Sequence, residues 1–342
     1  MSRRWTPWCA LWSTPGSRIA SPAAARDVIR IGTRRSDLAL IQARMVERGL
    51  SALGAECELV PIRTAGDKRN AEPLIEIGTK GLFTRELETA LLRGKVDCCV
   101  HSLKDVPTAA VEGIGIVAIL ERADPRDVLV VAPVTQAASL AELPAGSRIG
   151  TSSLRRRALL RSVRPDLEAV DLRGDVPARL RKLDAGTVHA AILAAAGLIW
   201  LRAPQRITSW LEPPEWLPAP GQGAIAVQAR TGDDRMRALL QGLHHPATAV
   251  AVRAERALFA GLEGGGQMPI GALAMPTPEG LRLHAFISDL HGRQLLRGSA
   301  LVAGSDPEGT GAGLAADLRS RGAASLLIEL RGAGQVPAPQ PE

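Results

Sequence analysis

Short apolar runs alternate along the chain with amphipathic stretches of helical period, and the alternation begins at Val28. Val28–Gly32 reads as a buried strand. Thr33-Arg34-Arg35-Ser36 is its exit, where Ser36 can cap a helix whose apolar face is Leu38, Ile41, Met45 and Val46 and which stops near Gly49. Glu58–Arg63 is a second strand, and the polar stretch from Thr64 to Glu72 reads as a lid beside a cleft. Beyond Gly78-Thr79-Lys80-Gly81-Leu82-Phe83, Thr84 caps a helix that turns Leu87, Ala90 and Leu91 inward and ends at Gly94. Val96–Val100 is the next strand. The order β-α-β-α-β is that of a doubly wound sheet.

Past Pro125 the same grammar restarts. Val128–Ala132 is a strand, Arg148–Gly150 leads through Thr151-Ser152-Ser153 into a helix stopped by Pro165, Leu167–Leu172 ends in Arg173-Gly174-Asp175, and Val188–Leu193 follows. Leu217–Ala224, with two prolines and two glycines, reads as a crossing back to the strand Ile225–Val227. From His245 a third unit appears: a helix with Val250, Ala254, Ala257 and Leu258 on one face, a glycine-rich loop Leu262–Gly271, a hairpin around Asp289–Gly292 and a last helix. The expected architecture is α/β, with two doubly wound domains (27–124 with 224–242, and 125–218) and a smaller α+β third domain (245–331).

Candidate chemistry gathers where strands end. In Val100-His101-Ser102-Leu103-Lys104-Asp105-Val106-Pro107-Thr108, Asp105 lies beyond the carboxyl end of a strand, where open α/β sheets bind ligands. An isolated K-D-x-P is equally served by a capping aspartate in a turn. Arg34 sits beside a helix N-terminus that attracts anions. Arg155, Arg156 and Arg157 oppose the dipole of the helix they open, which a sequence tolerates more readily where an anion is held. Arg173 and Arg179 follow at the next exit. Basic groups at the exits of both units, with Lys104 and Asp105 among them, describe a two-lobed cleft for a polyanion; the alternative is a set of exposed helix ends.

Composition narrows this. A chain of 342 residues suggests two or three domains. The formal charge is +7, but Arg3, Arg4, Arg18 and Arg26 precede the first acid, Asp27, so the remainder carries only +3. No basic run is interleaved with aromatics, which argues against a nucleic-acid surface, and no apolar run reaches the length of a membrane span. Residues 1–26 read as a disordered leader, resembling an organelle transit peptide in composition or reflecting an upstream start. Residues 332–342 read as a disordered tail. Cys9, Cys57, Cys98 and Cys99 lack metal-ligand spacing, so a reduced, cytoplasmic, metal-free protein is expected; a monomer is expected as well.

The motifs IGTRRSDLAL, GTKGLFTRELETALL, HSLKDVPT, PRDVLV, GTSSLRRRALL, LRGDVPARLRKLD, ILAAAGL, PAPGQGAIAV and RAERALFAGLEGGGQMPIGA stand in one order that resembles the porphobilinogen deaminase (hydroxymethylbilane synthase) family from about Val28 to Leu330. The resemblance implies two periplasmic-binding-protein-like domains and a small third that carries a dipyrromethane cofactor on a cysteine thioether. It implies head-to-tail condensation of porphobilinogen with loss of ammonia, in tetrapyrrole (heme) biosynthesis. Asp105 then corresponds to the catalytic carboxylate. Arg34, Ser36, Lys104, Ser153, Arg155, Arg156, Arg173 and Arg179 correspond to residues that hold acetate and propionate groups, and Lys80, Phe83 and Gln222 to residues lining lid and cleft. Four positions depart from the pattern: Gly266 replaces the cofactor cysteine, Trp200 a substrate-binding arginine, Glu76 a lid lysine and Asp175 an asparagine. Covalent attachment of dipyrromethane is therefore expected to be absent. Two further readings follow from Gly266: a cofactor-less enzyme making a shorter or different pyrrole product, and a non-catalytic protein binding pyrroles or small anions.

Overall fold

The computed structural model describes residues 28–65, 83–262 and 268–332. The expectations for the leader, the lid beyond Ala65, Glu76, Lys80, Gly266 and the tail fall outside the described residues.

The first lobe is built from β1 (Ile29–Arg34), α1 (Asp37–Ala52), β2 (Cys57–Ile62), α2 (Arg85–Leu92), β3 (Cys98–Ser102) and β4 (Ile114–Ile119). Its sheet runs β2-β1-β3-β10-β4, where β10 (Ile225–Arg230) returns from far along the chain and lies antiparallel between β3 and β4. The repeated β-α units predict a parallel sheet; the sheet is mixed because its returning strand enters from the opposite direction. Alternation along β3 sends Cys98 and Val100 into the core under α1, with Val46 and Leu50, and Cys99 into the core under α2, with Leu87 and Leu91. Ser36 caps α1 as expected, its Oγ accepting from the Ala39 N–H at 3.4 Å. The helix continues through Gly49 to Ala52.

The second lobe contains β5 (Asp127–Val131), β6 (Arg148–Gly150), α3 (Leu154–Val163), β7 (Glu168–Val170), α4 (Val176–Asp184), β8 (Ala190–Ala194), α5 (Ala195–Trp200) and β9 (Ser209–Leu211), with sheet order β7-β6-β8-β5-β9. Here too one strand, β5, runs antiparallel to the strand beside it, β8. Ser153 caps α3 and Asp175 caps α4, accepting from the Arg156 and Ala178 N–H groups. Asparagine and aspartate are equivalent caps, so the Asp175 departure keeps its local structure.

After α6 (Asp234–Gln241), the third lobe packs α7 (Pro246–Gly261) and α8 (Pro307–Leu318) on an antiparallel sheet of β11 (Ile270–Thr277), β12 (Gly280–Ser288) and β13 (Leu295–Leu301), closed by α9 (Ala324–Gly332). The buried face of α7 is Thr248, Ala249, Ala251, Val252, Ala254, Glu255 and Leu258, so Ala254 and Leu258 turn inward as expected while Val250 and Ala257 are only half-buried. This face puts a carboxylate inside. Glu255 accepts two bonds from Arg122, at 2.6 and 3.0 Å, and one each from the Gly221 and Ala274 N–H groups, at 2.7 and 2.9 Å. All three lobes thus meet at the two stretches of chain that cross between the first and second.

Candidate active-site cleft

Beyond β3 the chain tightens into a 3-10 turn, Leu103–Asp105. Leu103 is buried, which fixes the turn from below, and Arg256 of α7 holds it from the side, donating to the Val106 and Pro107 carbonyls at 2.8 Å each. Asp105 is thereby presented to a cleft lined also by Arg34, Ser36, Leu38, Gln42, Phe83, Thr84, His101 and Ser102. The exits of β1 and β3 and the N-termini of α1 and α2 all open into it. The Arg34 guanidinium lies over the Phe83 ring, 4.5 Å from its centroid, a stacking that orients the cation. Within this cleft the structure brings together four of the residues singled out from sequence: Arg34, Ser36, Phe83 and Asp105.

The second lobe's residues are placed differently. Arg155 and Arg156 were expected at an open cleft, but both are buried against Asp127, which is itself fully buried. Arg155 reaches Asp127 at 2.6 and 3.3 Å and Arg156 at 2.8 Å, and they donate onward to the Leu217 and Ile192 carbonyls. The anion that compensates these first-turn arginines is a side chain of the protein. Trp216 Nε1 and Gln222 Nε2 also donate to Asp127, each at 2.9 Å. Burial alone would raise the Asp127 pKa; the two guanidiniums and their hydrogen bonds override it and hold the carboxyl well below the usual range.

Gln222 connects this buried cluster to the cleft. Its Oε1 accepts from Lys104 Nζ at 3.4 Å, so the lysine beside Asp105 is linked through one amide to the second lobe. Arg179 is buried and donates from Nε to the Gly174 carbonyl at 2.8 Å, while Arg173 is partly exposed, 3.5 Å from Asp171. Trp200, half-buried, packs against the first-lobe core, so it bridges lobes by apolar contact. Asp127, Arg122, Glu255 and Arg256 were missed from sequence. Arg122 and Asp127 lie in the charged run Glu121–Asp127, and Glu255 and Arg256 lie beside Arg253, so nothing local marks them for burial.

The described cysteines do not reach the cleft. Cys98 and Cys99 are fully buried in opposite cores, where desolvation pushes both thiols well up and keeps them in the neutral, unreactive form. Cys57 begins β2, at the end of the sheet away from the strand exits. Among the described residues, therefore, no thiol is placed to form a thioether to a group held beside Asp105. Among the described residues there is no cluster of three or more His, Cys, Asp or Glu placed to hold a metal, and no helix long and apolar enough to cross a membrane.

Two mixed α/β lobes joined by two crossings, with a third lobe bracing the strand exit that carries Asp105, define a two-lobed α/β protein with a charged cleft at the strand exits of its first lobe. Comparison with known proteins gives the family. Residues 29–238 match the family model described as porphobilinogen deaminase, dipyromethane cofactor binding domain, and residues 249–320 match the porphobilinogen deaminase C-terminal domain. A porphobilinogen deaminase of Moorella thermoacetica is 48% identical over 305 residues, covering 89% of this chain and 96% of that protein. One from Syntrophobacter fumaroxidans is 46% identical, covering 89% and 98%. The chain belongs to the porphobilinogen deaminase family, a family of transferase enzymes. Among solved structures, a periplasmic substrate-binding protein from Coxiella burnetii aligns at 17% identity over 65% of this chain and 94% of its own, with a TM-score of 0.40.

Proposed function

We propose that the chain deaminates porphobilinogen at Asp105, acting as a hydroxymethylbilane synthase-type transferase without a covalently held dipyrromethane. The observation that carries the reading is the shared cleft of Asp105, Arg34, Ser36 and Phe83. A pyrrole bearing an ammoniomethyl group loses ammonia when its C–N bond breaks with the electron pair leaving on nitrogen. The positive charge stays on the ring and its exocyclic carbon. Asp105, held rigidly by the Leu103 packing and the Arg256 clamp, stabilises that cation next to the ring N–H. The α-carbon of another pyrrole then attacks the exocyclic carbon, forming the C–C bond and releasing the ring proton; water in its place gives a hydroxymethylpyrrole.

Arg34, Ser36 and Lys104 would orient the ligand's acetate and propionate, with Arg173 approaching from the second lobe. Arg155, Arg156 and Arg179 support that surface from beneath. Bonds of this charge-assisted kind contribute on the order of 1.5–3 kcal/mol each when desolvated. Gly266 provides no sulfur, and the buried Cys98 and Cys99 are poor substitutes, so a second pyrrole must be bound from solution. Losing the tether forfeits part of a proximity advantage of roughly 7–11 kcal/mol. Tetrapyrrole formation is therefore slow relative to ammonia release, and a short pyrrole product dominates.

The test is ammonia release and uroporphyrin formation from porphobilinogen, alongside the intact mass of the purified protein. The expected result is the bare polypeptide mass, slow ammonia release abolished in Asp105→Ala, and little uroporphyrin. Rapid uroporphyrin formation or a dipyrromethane adduct refutes the untethered reading. Porphobilinogen binding with no ammonia release would instead establish the pyrrole-binding alternative.

A further inference from the structure

Two adjacent histidines stand where the first lobe meets the third. His244 and His245 follow α6 and open α7, both half-buried and so within reach of protons. They clasp the last residue of β4 along the edge of the sheet that β10 leaves open. Ile119 donates its N–H to His244 Nδ1 at 3.2 Å, and its carbonyl accepts from the His245 N–H at 2.8 Å. Leu120 turns the other way and donates to Ile225 of β10, as alternation in an antiparallel ladder requires. An imidazole nitrogen thus takes the place that a carbonyl would fill in a further strand.

His245 uses its ring at the helix start. Its Nδ1 accepts from the Thr248 N–H at 3.2 Å as the N-cap of α7, and lies 2.8 Å from Thr248 Oγ1, which itself accepts from the Arg122 N–H at 3.2 Å. An Nδ1 that faces a backbone N–H must present its lone pair, so both rings are neutral with the proton on Nε2. A second proton would turn both acceptors into donors aimed at donors, and would set a cation at a helix N-terminus, where the dipole opposes it.

The surroundings resist that proton. Burial lowers the His244 pKa, and the neighbouring His245 and Arg253 lower it further. Arg253 is itself paired with Glu308 of α8. On the β4 side Glu121 is exposed and the Arg122 guanidinium is engaged with Glu255, while α6 carries Asp234, Arg235 and Arg237 toward its far end. Because the folded pKa of His244 is depressed, its contribution is present above the unfolded value of about 6.5 and is lost as pH falls through the lower folded value. The loss reaches beyond the joint. About three turns along α7 from His245, Arg256 grips the Val106 and Pro107 carbonyls beside Asp105.

We propose that His244 and His245 are positioning residues that form a proton-sensitive joint: neutral, they seat α7 on β4 and steady the turn bearing Asp105; protonated, they release the start of α7 and slacken the Arg256 grip on that turn. The joint does not depend on what the cleft binds.

The experiment follows backbone hydrogen exchange in the full chain, corrected for the pH dependence of the intrinsic rate, at Ile119, Thr248 and Val106. Val106 reports the turn, since its N–H bonds the Leu103 carbonyl. Protection at all three amides should fall about tenfold in the wild type between about pH 7.5 and about pH 5.5. His244→Asn combined with His245→Asp keeps an acceptor oxygen near each Nδ1 position and removes both imidazoles, so its protection should change by less than about threefold over that range. Equal acid loss in the two proteins, or none in the wild type, overturns the proposal; loss at Ile119 and Thr248 without loss at Val106 overturns the positioning role. Should the double variant not fold, the ring nitrogen shifts of the wild type decide. Protonation of His244 or His245 at the midpoint where protection is lost supports the joint, and rings already protonated at about pH 7.5 refute it.

Discussion

Asp127→Asn tests the energetics of the second lobe most directly. The wild-type carboxylate accepts bonds from Arg155, Arg156, Trp216 and Gln222 with no exposure to water. Asparagine keeps the shape but leaves two buried guanidiniums with no counter-charge and offers one acceptor oxygen where two were used. Breaking a buried pair in this way costs about 3–5 kcal/mol. With an unfolding entropy of about 2.1 cal/mol/K per residue over roughly 300 residues, the melting temperature should fall by about 5–8 °C. Replacing all three charges together, as Asp127→Leu with Arg155→Met and Arg156→Met, should recover part of the loss, because no naked charge remains. Because the folded pKa of Asp127 is depressed, its contribution is complete above the unfolded value of about 3.9 and is lost only as pH falls through the lower folded value. The difference between wild type and Asp127→Asn should therefore be flat from neutral pH to about pH 5 and narrow only in stronger acid. Calorimetric melting across pH measures both. A fall smaller than about 2 °C, or a difference that vanishes already at pH 5, would refute the argument that this carboxylate neutralises the arginine pair.

Other outcomes are sharp as well. Arg256→Met removes two bonds to the turn carrying Asp105, and steady-state ammonia release should show kcat reduced about tenfold, the loss of about 1.4 kcal/mol expected for a loosened anion, with KM changed far less. Gly223→Ala places a Cβ 2.6 Å from the Ala123 carbonyl oxygen at a φ of +83°, so urea unfolding should show a loss of about 2 kcal/mol or more. Gly266→Cys should gain a covalent dipyrromethane by mass and faster uroporphyrin formation; an unmodified cysteine would mean that the cleft itself has changed. Adding Trp200→Arg to that variant should raise the rate further, and no change would assign Trp200 to lobe packing alone.

How much of this was legible beforehand depends on range. Ser36, Ser153 and Asp175 cap the helices their spacing indicated, and the alternation of Cys98 and Cys99 between two cores followed from strand geometry. Those are local rules. The return of Ile225–Val227 to the first domain was anticipated but its antiparallel direction was not, since the direction of a strand that returns after a hundred residues is set by its neighbours; the strands β4 and β9 and the helix α6 were not anticipated. Arg155 and Arg156 were correctly marked as needing an anion, but the sequence could not reveal that Asp127, nearly thirty residues earlier, supplies it. Glu255 was invisible for the same reason: a buried carboxylate looks like any polar position until Arg122 and two backbone amides converge on it. Thr84 shows the reverse. Its position fitted a cap, yet its hydroxyl makes no cap bond.

The placement of β10 bears on the order in which the protein can assemble. The first lobe's sheet has its late-arriving strand in the interior, between β3 and β4, so residues 29–119 emerge from synthesis as the three strands β2-β1-β3 with β3 an unpaired edge, and β4 without a partner. The second lobe draws its sheet from one unbroken stretch, Asp127–Leu211, and is complete first although it comes later in the chain. Domain-by-domain folding usually runs from the N-terminus; here the amino-terminal lobe must wait for Ile225–Arg230, with β3, the strand that leads to Asp105, exposed along one edge until then. A chain ending at Leu211 would hold all five strands of the second lobe, with Asp127 still lacking Trp216 and Gln222, beside an open first lobe.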